Sequence, residues 1–202
     1  MKTELEKMIS EALYMASDEE LVRMRQKARK LTRLYNLTTE DEENQRQQLM
    51  SELLGATKNN FFIEPPFRCD YGSNISIGEN FYANFDCVIL DVAPVTIGDN
   101  VKFGPRVGIY TAGHPIDPAV RARGLEFGRR ISIGDNCWIG ANVSINPGVT
   151  IGNNVIIGSG SVVTKNIPDE AIAAGNPCKV IRFLADKDEE AWSRLEKEYH
   201  SP

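Results

Sequence analysis

The sequence predicts a mainly β chain, a parallel β-helix of hexapeptide repeats behind an N-terminal helical segment. Three observations predict it. An aliphatic residue opens every sixth position from residue 133 to 168. Before residue 58 the apolar residues instead recur at three-to-four spacing, the period of one helix face. The period changes near Tyr71, and the chain is read as a helical segment (1–57), a repeat body (58–184) and a C-terminal tail (185–202) expected to be helical.

In the first segment Ser17-Asp18-Glu19-Glu20 fits a capping box, with the serine oxygen accepting an orphan backbone N–H and the glutamate reaching back. Leu21, Met24, Ala28, Leu31 and Tyr35 then form one apolar stripe. Thr39-Glu40-Asp41-Glu42 repeats the capping pattern and starts a second helix running to Leu54. Gly55 is placed to take the left-handed position after it. The expected product is a helical hairpin that packs its stripe on the repeat body.

From about Tyr71 the repeat takes over. Written in sixes, residues 133–168 run IGDNCW, IGANVS, INPGVT, IGNNVI, IGSGSV, VTKNIP. Ile133, Ile139, Ile145, Ile151, Ile157 and Val163 open the units; Cys137, Val143, Val149, Val155, Ser161 and Ile167 fill the fifth position. Earlier units keep the pattern with a slip near Asp91–Pro94. Neither helical period nor simple alternation produces this spacing, whereas three units per triangular coil do. The opening side chains stack inward, and Gly and Asn take corners where positive φ is cheap for them. Roughly four coils at about 4.8 Å each give a prism about 20 Å tall. Its ends need covering, a task for the helical hairpin and the segment after Pro168.

Composition narrows the function. A net charge of −5 argues against sequence-independent nucleic-acid binding. No apolar run is long enough to cross a membrane, and MKTELEKMIS lacks the apolar core of a secretory signal, so the expected location is cytoplasmic. Cys69, Cys87, Cys137 and Cys178 show no metal spacing and read as buried thiols. GSGSVVTK lacks the Gly-Lys-Ser/Thr ending of a P-loop. Against this background one stretch stands out. TAGHPIDP (111–118) breaks the repeat within a projecting loop, 110–130, and displays His114; the only other histidine is His200. A histidine on a loop above a rigid prism suits general-base chemistry near neutral pH.

The helical N-terminus, EPPFRCDYGSNISIGENFYANFDCVILD (64–91), GHPIDP (113–118), WIGANVSINPGVTIG (138–152) and GSVVTKNIPDEAIAAGNPCKVIR (160–182) resemble the maltose and galactoside O-acetyltransferases, hexapeptide-repeat acyltransferases. The resemblance covers residues from about 7 to 184 and leans to the maltose branch. It implies a left-handed β-helix, acetyl-CoA as co-substrate with no permanently bound cofactor, a sugar hydroxyl (typically the 6-hydroxyl) as acceptor, and a homotrimer with sites between subunits.

The same resemblance implies roles residue by residue. His114 matches the catalytic base. Asn84 matches a residue contacting the acceptor, and Asp70, Tyr82 and Asp91 fall near acceptor-binding positions. Asp70 stands where the galactoside enzymes carry serine, and Asp91 is offset by one from their acidic residue. Ala141 matches a position at the thioester end of CoA, where its N–H could serve a tetrahedral oxyanion. Ser159, Thr164, Lys165, Lys179 and Arg182 match positions along the pantetheine arm and nucleotide. Glu126 reads either as a carboxylate orienting His114 or as an exposed loop residue. Trp138 reads either as a ligand contact or as cover for a coil end. Two rivals remain. A zinc hydrase on this fold needs three histidines, which the chain lacks, so no metal site is expected. A non-catalytic scaffold has no need of His114 beside a CoA-like tail.

Overall fold

The computed structural model describes residues 2–201; Met1 and Pro202, the outermost residues of the two terminal segments, lie outside them. Helices α1 (Glu4–Ile9), α2 (Glu19–Asn36) and α3 (Glu43–Leu53) precede three faces of short strands. The first face stacks Ala56–Thr57, Ile75–Ile77, Val95–Ile97, Ile131–Ile133 and Thr150–Ile151 in parallel. The second runs from Phe62–Ile63 through Tyr82–Ala83, Lys102–Phe103, Trp138–Ile139 and Ile156–Ile157 to Ala171–Ala174. The third stacks Phe67–Cys69, Cys87–Leu90, Gly108–Tyr110, Ser144–Ile145 and Val162–Val163.

These strands make five complete coils and two sides of a sixth, not the four expected. The extra coil at the front is residues 56–69, ahead of the predicted start at Tyr71. It obeys the same rule in disguise. Thr57, Ile63 and Cys69 open its units, Phe61 and Phe67 sit inside, and Asn60 takes a φ of 57°. What it lacks is glycine at the second position, where Lys58, Glu64 and Asp70 stand.

The rule itself holds throughout. The opening and fifth residues of every unit from 133 to 168 are buried. The fourth position carries positive φ at Asn80, Asn100, Asn136, Asn142, Gly148, Asn154 and Gly160. On the edge between the first and second faces, the asparagines form a ladder: Asn80 Nδ2 donates to Asn100, Asn100 to Asn136, and Asn136 to Asn154, at 2.9–3.1 Å. A second ladder beside it runs along Asp99, Asp135, Asn153 and Asp169, each accepting a backbone N–H from the coil before at 2.7–2.8 Å. All four cysteines are buried and unpaired.

The helical end differs from expectation in detail. The cap of α2 is Asp18, which accepts from Glu20 and Leu21 N–H, so it falls one residue after Ser17. Leu21, Ala28, Leu31 and Tyr35 are buried as the stripe requires, and Tyr35 Oη donates to the Ile63 carbonyl. Thr39 and Glu42 bond to each other, but the helix they border begins only at Glu43, so no box closes on it. Gly55 does not adopt positive φ. Its lack of a side chain serves a close approach, because a Cβ there would strike the Ser73 carbonyl oxygen. Helix α1, capped by Thr3 and Glu6, carried too short an apolar pattern to be predicted.

The slip at Asp91–Pro94 is a socket. Val92 packs with Met8, Tyr14, Leu21 and Tyr71, which docks the helices on the prism. At the far end the chain reverses. Lys179–Phe183 runs antiparallel to Ala171–Ala174, and α5 (Asp186–His200) follows with none of its residues buried.

Candidate active site

The loop at 110–130 is more ordered than an irregular excursion. Ala112–Gly113 pairs antiparallel with Leu125–Gly128, and a short helix, α4 (Pro118–Ala122), caps the tip with Asp117 accepting from Val120 N–H at 2.7 Å. Tyr14–Met15 joins as a third strand against Leu125–Glu126. His114 is the first residue past this ladder and is exposed. Glu126 is half-buried; its Oε2 accepts from Tyr14 Oη at 2.8 Å. Arg130 and Arg129 tie the loop base to Glu11 at 2.6 and 2.7 Å.

Two edges of the prism carry the other candidates. On the edge between the third and first faces lie Asp70, Asp91, the loop with His114, and then Thr164 and Lys165, both exposed. On the edge between the second and third faces lie Asn84, half-buried, then Ala141 and Ser159. Tyr82 faces outward on the second face, its ring parallel to Phe62 with 6.3 Å between centroids. A whole face therefore separates His114 from Asn84 within one chain.

Along the axis the order is regular. Asp70 is in the first coil; Tyr82, Asn84 and Asp91 are in the second; His114 leaves the third. Ala141 is in the fourth, Ser159, Thr164 and Lys165 are in the fifth, and Lys179 and Arg182 end the sixth.

Several side chains are already engaged. Asp91 is fully buried, and its carboxylate accepts from the N–H groups of Asp70, Tyr71 and Asn74 at 2.9–3.3 Å. Burial pushes its carboxyl up to about 6, against the pull of those donors. Asp91 thus holds the socket together and offers no exposed surface to an acceptor. Asp70 is half-buried; burial raises its carboxyl, while Arg25 and Arg29 draw it back. Arg25 itself donates to Tyr71 Oη and the Ala16 carbonyl, both at 2.6 Å. The Ala141 N–H is not free: it donates to Ser159 Oγ at 3.1 Å. Arg182 pairs in a fork with Asp188 of α5 at 2.6 and 2.9 Å, a contact the sequence reading did not foresee. Lys179 is exposed. Trp138 is 55% exposed in the middle of the second face, between Lys102 and Ile156, so it covers no coil end. Glu64 was missed altogether. The strand register sets it beside Asn84, and its place in the disguised first coil hid it.

Among the described residues no group of three or more His, Cys, Asp or Glu could hold a metal ion, and no helix is long and apolar enough to cross a membrane. Residues 7–58 match the maltose acetyltransferase hexapeptide capping motif, and residues 130–165 match the bacterial transferase hexapeptide of six repeats. The galactoside O-acetyltransferase of Escherichia coli is 44% identical over 154 residues, 76% of either chain. A solved maltose O-acetyltransferase from Clostridium difficile superposes with a TM-score of 0.90 at 53% identity, covering 91% of this chain and 98% of that one. A galactoside acetyltransferase solved in complex with coenzyme A gives a TM-score of 0.90 at 42% identity over 94% of each chain. With the capping motif and the hexapeptide repeat matched, and relatives this similar over most of its length, the chain belongs to the maltose and galactoside O-acetyltransferase family of hexapeptide-repeat acetyltransferases.

Proposed function

We propose that this acetyltransferase moves the acetyl group of acetyl-CoA to a sugar hydroxyl, the 6-hydroxyl of glucose, maltose or a related sugar, with His114 as general base. The observation that carries the reading is the axial order of the candidates. Acceptor residues Asp70, Tyr82 and Asn84 lie in the first two coils against the helical cap, the base leaves the third, and the donor residues occupy the fourth to sixth. An acetyl-CoA lying along the prism with its thioester towards the third coil meets a hydroxyl held from the cap side. This order also supports reading residues 1–57 as an acceptor-side cap on the 58–184 body, with 185–202 as a tail.

In the reaction Nε2 or Nδ1 of His114 takes the hydroxyl proton as the oxygen attacks the thioester carbonyl. The tetrahedral intermediate collapses, the C–S bond breaks, and the imidazolium returns its proton to the CoA sulfur. The Ala141 N–H serves the oxyanion only once its bond to Ser159 opens. Ser159 and Thr164 line the pantetheine arm, while Lys165, Lys179 and Arg182 supply positive charge for the phosphates on an otherwise acidic chain. Arg182 reaches a phosphate by exchanging Asp188 for it.

The separation of His114 from Asn84 supports a cyclic trimer in which one copy's loop meets the next copy's second-to-third edge. The location we infer is cytoplasmic, where acetyl-CoA is made available to soluble enzymes.

A thiol-release assay with acetyl-CoA against glucose, maltose, galactosides, serine and chloramphenicol tests the acceptor class. Sugars should turn over fastest; release confined to serine or chloramphenicol overturns the sugar assignment. Co-refolding His114→Ala with Asn84→Ala tests the shared site. Mixed trimers should regain part of the activity that each parent lacks, and a mixture as inactive as its parents sinks the model of sites between copies.

A further inference from the structure

We propose that Tyr14 is a positioning residue for the acetyl transfer, acting through Glu126 on His114. The inference rests on the reading of His114 as the base. Tyr14 and Glu126 are directly opposed across an antiparallel pair, so their side chains share one face of the small sheet. The pairing of Ala112 with Gly128 and of Gly113 with Phe127, continued by one step, sets His114 opposite Glu126 on its other side. Tyr14, Glu126 and His114 therefore form a row across three neighbouring strands, with the carboxylate in the middle.

The outer end of that row is fixed. The Tyr14 ring is 1% exposed and packs with Met8, Leu21, Tyr71 and Val92 in the socket on the prism. Its hydroxyl donates to Glu126 Oε2 at 2.8 Å. Burial and the neighbouring carboxylate push the phenol's ionisation up, so it stays a donor at any working pH. Arg25 donates to Tyr71 Oη of the same cluster and to the Ala16 carbonyl. Tyr14 thus holds one carboxylate oxygen, and the other is left to accept an imidazole N–H from His114. A base held through one nitrogen presents the other to the hydroxyl in a fixed direction. The N-terminal segment consequently reaches the chemistry through one hydroxyl group rather than through bulk cover alone.

Tyr14→Phe keeps the buried ring and removes only that hydroxyl. It should lower kcat about five- to thirtyfold, leave KM for acetyl-CoA within about twofold, and leave the melting temperature close to wild type. Glu126→Gln should lower kcat at least as far, and the double variant no further than Glu126→Gln alone, because both losses run through one carboxylate. Multiplying losses, or wild-type kcat in Tyr14→Phe, would overturn the proposal. A second readout does not depend on turnover. The chain has two histidines, so the imidazole carbon–proton resonances of His114 can be followed with His200, at the end of α5, as internal reference. Both single variants should shift the His114 signals and leave those of His200 in place. Unmoved His114 signals overturn the positioning role even in an active enzyme. Shifted signals in a protein that acetylates no acceptor uphold the row and refute the function instead.

Discussion

The prism and the junction between its third-to-first edge and the helices bury their residues by opposite means. In the coils every solution is repeated. The same inward position is filled by an aliphatic residue coil after coil, and the same corner amide bonds to its copy above and below. At the junction every contact is unique: Tyr14 to Glu126, Arg25 to Tyr71, Asn36 to both the N–H and the carbonyl of Phe67, Asp91 to three N–H groups. Repetition gives a stiff frame whose single members matter through volume. Uniqueness gives a place where one polar atom decides orientation. The loop bearing His114 springs from the second kind of region, and the comparison says that chemistry should be fragile there and stability fragile in the coils.

The sharpest way to break that comparison is His114→Ala. It should cut kcat by about 10²- to 10⁴-fold while leaving the thermal midpoint near wild type, because the exposed imidazole adds nothing to the core. Retention of more than about a tenth of wild-type kcat, with chemistry rate-limiting, removes the base assignment.

Ile145→Ala should do the reverse. Ile145 is fully buried in the fourth coil, so the lost methyls and the cavity should cost about 2–5 kcal/mol in denaturant unfolding. Asn136→Gly, which keeps the positive φ of 55° and loses only the corner ladder, should cost about 0.5–1.5 kcal/mol. A corner cost as large as the core cost would mean that the ladders, not the stacked aliphatics, carry the frame.

The effect that only pH reveals concerns Asp91. Its carboxyl is raised in the folded chain to about 6, above the ordinary carboxylate value of about 3.9. The folded state therefore binds this proton more tightly than the unfolded one, and the group's contribution to stability falls as pH rises through that window. Asp91→Asn carries no such titration. The stability of wild type relative to Asp91→Asn should decline between about pH 4 and pH 6.5, measured by thermal melts across that range. A gap that widens with rising pH would show that the three N–H donors outweigh burial.

Legibility followed the same division. The coils could be read because their signal is periodic: an aliphatic opener every sixth residue needs no knowledge of what lies across the chain. The first coil escaped because Lys58, Glu64 and Asp70 replace the glycines that advertise the pattern, although its inward residues obey it. The stripe of α2 was legible for the same reason as the coils, whereas its cap was misplaced by one residue because Ser17 and Asp18 are both competent acceptors. Around the site, His114 stood out by interrupting a rhythm. Tyr14, Glu126 and Arg25 did not, since nothing local in residues 14 or 25 announces a partner 112 or 46 positions away. The engagement of Arg182 by Asp188 was equally hidden, because the charge of an isolated basic residue reads the same whether it awaits a phosphate or already holds a carboxylate.

The reversal after Gly175 has a consequence for the life of the protein in a crowded cell. A stack of parallel strands ends in a row of unpaired N–H and C=O groups, which invites another chain to continue it. Here Lys179–Phe183 turns back along the last strand of the second face, and Cys178 N–H and Gly175 carbonyl close the end of the third by bonding to Val162 at 2.8 and 3.0 Å. The strand that ends the second face is thus antiparallel, and a seventh coil cannot continue from it in the parallel register of the repeat. The solenoid is therefore finite by construction, and a chain severed before Lys179 should be prone to join end to end into fibres.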